Sequence, residues 1–167
     1  LRAMSHHGPD RLQGEAFAAA VENMDVVLTS YALLRRDQDT FQRVEWSDVV
    51  LDEAQNIKNP STKQAQAARR LPGAFKLALT GTPVENRLSE LWSIFQFLNP
   101  GYLGSQKAFR SNFALPVERY GDPEAAATLR QLTAPFILRR VKTDTTIIQD
   151  LPEKFENKAY CTLSAEQ

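Results

Sequence analysis

The sequence predicts an α/β fold built on a parallel sheet, and three observations carry that expectation. Short, largely apolar runs at residues 25–29, 46–51 and 75–79, the first two carrying β-branched valines, read as buried parallel strands. Stretches with helical periodicity or caps separate them, the alternation expected of strand–helix–strand units. Polar residues follow each run at once, where an open parallel sheet presents its ligand edge.

Taken in order, Gly8-Pro9-Asp10 forms a turn that can cap a helix over residues 11–22. The first strand is 25–29 and the second 46–51. Asn59 can cap a helix with Pro60 at its first position, ending at Arg69 and Arg70 before Pro72-Gly73. The third strand is 75–79. Asn86 then caps a helix whose Leu88, Leu91, Trp92, Phe95 and Leu98 share one face, with Pro100-Gly101 as its stop. Beyond Gly101 the pattern is helical, and Asp122-Pro123 opens a last clear helix. No internal repeat or low-complexity stretch interrupts this order.

Composition narrows the class. With 167 residues, 43% of them hydrophobic and 24% charged, the chain can bury one sizeable core and suits one globular domain or part of one. Its formal net charge of zero neither favours nor forbids a nucleic-acid partner, so any basic surface has to be local. A single cysteine, Cys161, rules out a disulfide framework and a Cys-rich zinc site, and fits packing in a reducing compartment. No apolar run is long enough to cross a bilayer. The N-terminal residues lack the layout of a signal peptide and begin in mid-pattern, so the expectation is a piece of something larger. His6 and His7 read most simply as a solvated loop pair.

The residues just after the strands hold the candidate chemistry. Asp52 can hold a magnesium ion bound to nucleotide phosphates, and Glu53 beside it can orient or deprotonate an attacking water. The plain alternative makes Asp52 a cap and Glu53 a solvated side chain. Thr80-Gly81-Thr82-Pro83 taken alone reads as a turn; its two hydroxyls could also relay hydrogen bonds from an acidic site. Thr29 and Ser30 fit a phosphate contact and a helix cap equally well.

The run from Val50 through Asp52, Glu53, Ala54 and Gln55 to Pro60 resembles helicase motif II of the SNF family of superfamily 2 ATPases. The run from Leu79 through Thr80-Gly81-Thr82-Pro83 to Asn86, with Leu91-Trp92 and Phe97-Leu98-Asn99-Pro100 behind it, is similar to motif III. Residues 25–31 are similar to motif Ib. Phe136-Ile137-Leu138-Arg139-Arg140 and Leu151-Pro152-Glu153-Lys154 resemble the exit toward a second lobe. These matches span nearly the whole chain in family order, and Gln55 in place of His resembles the bacterial branch.

The resemblance implies an incomplete RecA-like, three-layer parallel-sheet lobe with a helical C-terminal extension. Residues 1–98 would form part of the lobe, 99–150 the extension, and 151–167 a linker or strand toward the second lobe. It implies ATP-driven translocation on double-stranded DNA with remodelling of a DNA-bound protein or RNA polymerase, in a cytoplasmic, nucleoid-associated setting in bacteria. Asp52 would hold Mg²⁺ with ATP and Glu53 would activate water. Gln55, Thr80, Gly81 and Thr82 would couple nucleotide to DNA, with Thr29 and Ser30 near a DNA phosphate. One departure is large. No G-x-x-x-x-G-K-[ST] loop occurs, since none of the seven glycines precedes a lysine. The family places that loop upstream and the completing arginines downstream, so residues 1–167 alone should be inactive. Two rivals stand beside this reading: a receiver-type domain with Asp52 as phosphoacceptor and Thr80 as switch, and a non-catalytic DNA- or protein-binding scaffold.

Overall fold

A computed structural model describes residues 1–81, 87–139 and Asn157. Thr82, Asn86, Arg140 and Cys161 lie outside the described residues. Residues Leu1–Leu129 form one compact unit, and a second begins at Arg130.

Among the described residues, four short strands and a series of helices follow one another: β1 (Ala3–Ser5), α1 (Gly14–Val21), β2 (Val26–Leu28), α2 (Tyr31–Arg36), α3 (Gln38–Gln42) and β3 (Asp48–Leu51). A 3-10 turn (Ala54–Ile57), α4 (Lys63–Arg70), β4 (Phe75–Ala78) and α5 (Leu88–Leu98) come next. All pairings are parallel: β1 with β2, Val27 opposite Met4, and β3 with β4, Leu51 opposite Ala78. The described strands make two pairs rather than one continuous sheet. Between them a cleft of about 240 Å³ is lined by Val27, Thr29, Tyr31, Val49 and Leu51.

The strands alternate as half-buried strands do. In β3, Val49 and Leu51 turn inward while Asp48 and Val50 turn outward. The inward set packs with Phe17 of α1, Leu34 of α2, Phe41 of α3, the alanines 65, 67 and 68 of α4, and Phe97 of α5. Small alanines bring α4 close against α2 and the 3-10 turn, and its basic C-terminus carries Arg69, which donates to the Pro60 carbonyl at 2.8 Å. The outward set, Val26, Leu28, Val50, Phe75, Leu77 and Leu79, is exposed and apolar, so among the described residues one face of the strands carries the helical layer.

Two expectations are corrected here. The cap of α4 is Thr62, whose Oγ1 accepts from the Ala65 amide at 3.2 Å. Asn59 instead closes its own turn, with Oδ1 accepting from Ser61 N–H and its hydroxyl. His6 is no solvated residue. It is 1% exposed, packed edge-on against Phe17 and Phe41, with Nε2 3.0 Å from Asp37 Oδ2. Arg11 meets the same carboxylate through Nε at 2.5 Å and Nη2 at 2.9 Å, and this pairing holds Asp37 down at a pKa of about 2.

After α5 the chain is helical. α6 (Gln106–Phe109) runs through a π-helical stretch (Arg110–Ala114) into α7 (Leu115–Tyr120). Pro116 has no N–H and its ring would strike the carbonyl one turn back, so a widened turn just before it relieves both conflicts. Gly121, at φ 64°, ends α7, with Asp122 N–H donating to the Pro116 carbonyl at 3.1 Å. Asp122 Oδ1 then accepts from the Glu124 and Ala125 amides and starts α8 (Pro123–Thr133), as the sequence predicts. Trp92, Phe95, Leu103, Phe109 and Leu129 form a second core here, placing the expected α5 stripe inside. The described part of the second unit includes a 3-10 turn (Ala134–Phe136) followed by exposed Ile137 and Leu138.

Candidate active site

The C-terminal ends of β2, β3 and β4 bring most of the candidate residues together. β3 delivers Asp52 and Glu53 into solvent as soon as its inward Leu51 is buried. Glu53 then adopts φ 50°, ψ 51°, the one positive φ of a non-glycine among the described residues. A left-handed glutamate is strained, and such strain persists only where neighbours over-determine it. They do so here. Glu53 N–H donates to Asp52 Oδ1 at 2.9 Å, and Asn56 donates to the Glu53 carbonyl through N at 3.0 Å and Nδ2 at 2.9 Å. The Ala54 amide donates to the Leu79 carbonyl beyond β4 at 2.8 Å.

The 3-10 turn that follows is anchored from below. Ala54 and Ile57 are fully buried, and Ser93 of α5 donates its hydroxyl to the Ile57 carbonyl at 2.6 Å. That anchoring leaves Gln55 half-buried between the ends of β3 and β4. Its Nε2 donates to Glu53 Oε2 at 2.6 Å, and its Oε1 accepts from Thr80 Oγ1 at 2.9 Å. Thr80, Gln55 and Glu53 thus form one continuous hydrogen-bonded chain. Gly81 is exposed beside it.

Thr29 and Ser30 stand at the end of β2, both exposed. Ser30 Oγ caps α2 by accepting from the Leu33 amide at 3.3 Å, and Thr29 Oγ1 donates to the His6 carbonyl at 3.3 Å. Both hydroxyls therefore have local structural work, and both remain on the surface. Tyr31 is the residue whose part the sequence does not reveal. Its hydroxyl donates to the Asp52 carbonyl at 2.7 Å, and burial together with the Asp52 and Glu53 charges pushes its pKa up to about 12. The sequence signal is only its place directly after Ser30.

Asp52 fits a magnesium ion of one particular kind. Among the described residues no cluster of three or more His, Cys, Asp or Glu side chains could hold a metal alone. A lone exposed carboxylate suits an ion that draws its other ligands from phosphate oxygens and water.

A family model described as the SNF2-related domain matches residues 1–167. The chain belongs to the SNF2-related domain family. It is 52% identical over 167 residues to YwqA of Bacillus subtilis, whose name assigns it to the ATP-dependent helicase/translocases, covering all of this chain and 18% of that protein. It is 35% identical over 158 residues to TATA-binding protein-associated factor 172 of Homo sapiens, covering 88% of this chain and 8% of that one. Among solved structures, the Sulfolobus solfataricus SWI2/SNF2 ATPase core in complex with dsDNA matches with a TM-score of 0.79 and 48% identity, over 99% of this chain and 34% of that one. The SNF2-related chain thus spans about a fifth of the length of YwqA and a third of the solved core. The receiver-type alternative falls with this assignment. No helix among the described residues is long and apolar enough to cross a membrane.

Proposed function

We propose that this SNF2-related segment supplies the acidic half of an ATPase site that drives translocation on double-stranded DNA. The hydrogen-bonded chain from Thr80 through Gln55 to Glu53 carries the reading, because it ties a strand-end hydroxyl to the carboxylate suited to act on water. Asp52 would hold Mg²⁺, which supplies charge compensation for the phosphates of ATP when bound. Glu53 accepts a proton from the attacking water, with one of its oxygens held by Gln55. Gln55 and Thr80 sense whether Glu53 is in place, and Gly81 and Thr82 extend that sensing toward DNA. Thr29 and Ser30 meet a DNA phosphate without reading bases, which suits a motor that moves over any sequence.

Residues 1–98 act as part of a RecA-like lobe, 99–150 as its helical extension and 151–167 as the passage toward a second lobe. The solved relative in complex with dsDNA supports duplex DNA as the track. The relative named for association with the TATA-binding protein supports a DNA-bound protein as the object remodelled, RNA polymerase being one candidate. A cytoplasmic, nucleoid-associated setting completes this reading, and the relatives that include bacterial helicases support its bacterial part alone.

The test uses the full-length protein. Glu53→Gln keeps the shape of the side chain yet cannot take a proton, so nucleotide binding persists while hydrolysis falls on the order of 100- to 10,000-fold. Wild-type hydrolysis should be stimulated by duplex DNA, and Thr29→Ala with Ser30→Ala should raise the DNA concentration needed. An ATPase rate for Glu53→Gln within about twofold of wild type removes Glu53 from this role. Stimulation by single-stranded RNA alone removes duplex DNA as the track.

A further inference from the structure

The peptide unit between Asp52 and Glu53 is pinned at both ends. Its N–H, on Glu53, donates to Asp52 Oδ1 at 2.9 Å. Its C=O, on Asp52, accepts from the Tyr31 hydroxyl at 2.7 Å. Rotation of this one plane is the motion that would carry Glu53 out of its positive φ, since φ of Glu53 and ψ of Asp52 change together when the plane turns. The left-handed glutamate therefore depends on the plane staying fixed, and the aim of the Glu53 carboxylate depends on it as well.

The N–H bond is local and moves with the turn. The other restraints on the turn come from the 3-10 segment through Asn56 and from beyond β4 through the Leu79 carbonyl. Tyr31 reaches it from elsewhere, across the cleft that separates the β1–β2 pair from the β3–β4 pair. Its ring is held independently: it packs against the main core, while Ser30 caps the helix that Tyr31 begins. The phenol stays protonated far above neutrality, so it remains a donor wherever the protein works. Thr29 and Ser30 precede it without any intervening residue. A displacement of that segment therefore bears on the first turn of the helix that carries Tyr31.

We propose that Tyr31 is a positioning residue that couples the Thr29–Ser30 segment to Glu53 by holding the Asp52–Glu53 peptide plane. The coupling rests on the ATPase reading above, in which a DNA phosphate engages Thr29 and Ser30. With DNA bound, the hydroxyl stays on the Asp52 carbonyl and Glu53 keeps its aim. When the segment shifts, the plane is released and Glu53 relaxes toward negative φ.

The experiment compares Tyr31→Phe, Tyr31→Leu, Glu53→Gln and wild type in the full-length protein, measuring kcat and KM for ATP with and without saturating duplex DNA, alongside melting temperature. Tyr31→Phe keeps the packed ring and loses only the bond. Its DNA-saturated kcat should fall roughly 10-fold, the scale expected when one hydrogen bond is lost. KM for ATP should stay within about threefold, because Tyr31 bonds the Asp52 main-chain carbonyl and leaves the Asp52 carboxylate, the group that would hold Mg²⁺, untouched. The ratio of DNA-saturated to DNA-free rate should fall with kcat. A role in packing alone predicts the opposite pattern, with Tyr31→Phe restoring wild-type kcat and ratio and only Tyr31→Leu impaired, and that pattern overturns the proposal. Glu53→Gln separates the two levels. If it is inactive while Tyr31→Phe matches wild type, the coupling alone fails; if it remains active, the ATPase reading fails and the coupling with it.

Discussion

A carboxylate as buried as Asp37 stays ionised only where cations and donors meet its oxygens. Arg11 supplies a two-pronged contact and His6 a third donor, and the result is a pKa of about 2 against an ordinary value near 4. The group is depressed on folding, so its contribution is fully present above about pH 4 and is lost as pH falls toward about 2. Asp37→Asn should therefore lower the melting temperature at pH 7, and the gap from wild type should narrow steadily below pH 4. Melting curves across pH 3 to 7 test this; a gap that is constant with pH would show that packing around the site, not ionisation, is what the substitution disturbs. The sequence could not reveal this cluster. Nothing near His6 marks it as buried, because the phenylalanines that enclose it come from α1 and α3 and its partner from the turn between α2 and α3. Asp52, Glu53 and Gln55 were legible because their chemistry lies in one short run, whereas the Glu53 backbone and the Tyr31 bond depend on atoms that only the fold brings together.

Among the elements, periodicity located the long helices and adjacency located their caps less well. Both Asn59 and Thr62 are capping residue types, and Pro60 after Asn59 made the earlier start attractive. The choice is decided by geometry, with Asn59 Oδ1 committed to Ser61 and Thr62 Oγ1 placed over the Ala65 amide. Thr62→Ala should cost about 1 kcal/mol in denaturant unfolding, the usual value of a lost N-cap. Asn59→Ala, which spares the helix amides, should cost clearly less; equal costs would move the cap back to Asn59. β1 escaped the sequence altogether. Three residues are too few to show alternation, and Ala3–Ser5 is a strand only because Val26–Leu28 lies alongside it. The strands β2, β3 and β4 were legible because each is a compact apolar run ending in polar residues.

At the scale of the whole molecule, the open face of the strands outweighs every local detail. Val26, Leu28, Val50, Phe75, Leu77 and Leu79 present apolar side chains outward, a pattern that parallel sheets normally bury on both faces. The inner edges of the two strand pairs add backbone groups that can pair with another chain. Val26-Val27-Leu28 and Val49-Val50-Leu51 are apolar at successive positions, the composition of strands covered on both faces. Formal net charge is zero, so no general repulsion keeps copies of the chain apart. Residues 1–167 prepared alone should therefore bind a hydrophobic dye and self-associate, and light scattering should grow with added sulfate, because apolar contact strengthens in such salt while ion pairing weakens. The same preparation should bind ATP only weakly. A single exposed aspartate cannot retain magnesium without phosphates already cradled by a glycine-rich loop, and these residues contain no such motif. Calorimetry should find no micromolar affinity, with or without magnesium. A monodisperse, dye-silent monomer would show that the exposed strand face is not a self-association surface, and micromolar ATP binding would show that the phosphates are held without a glycine-rich loop.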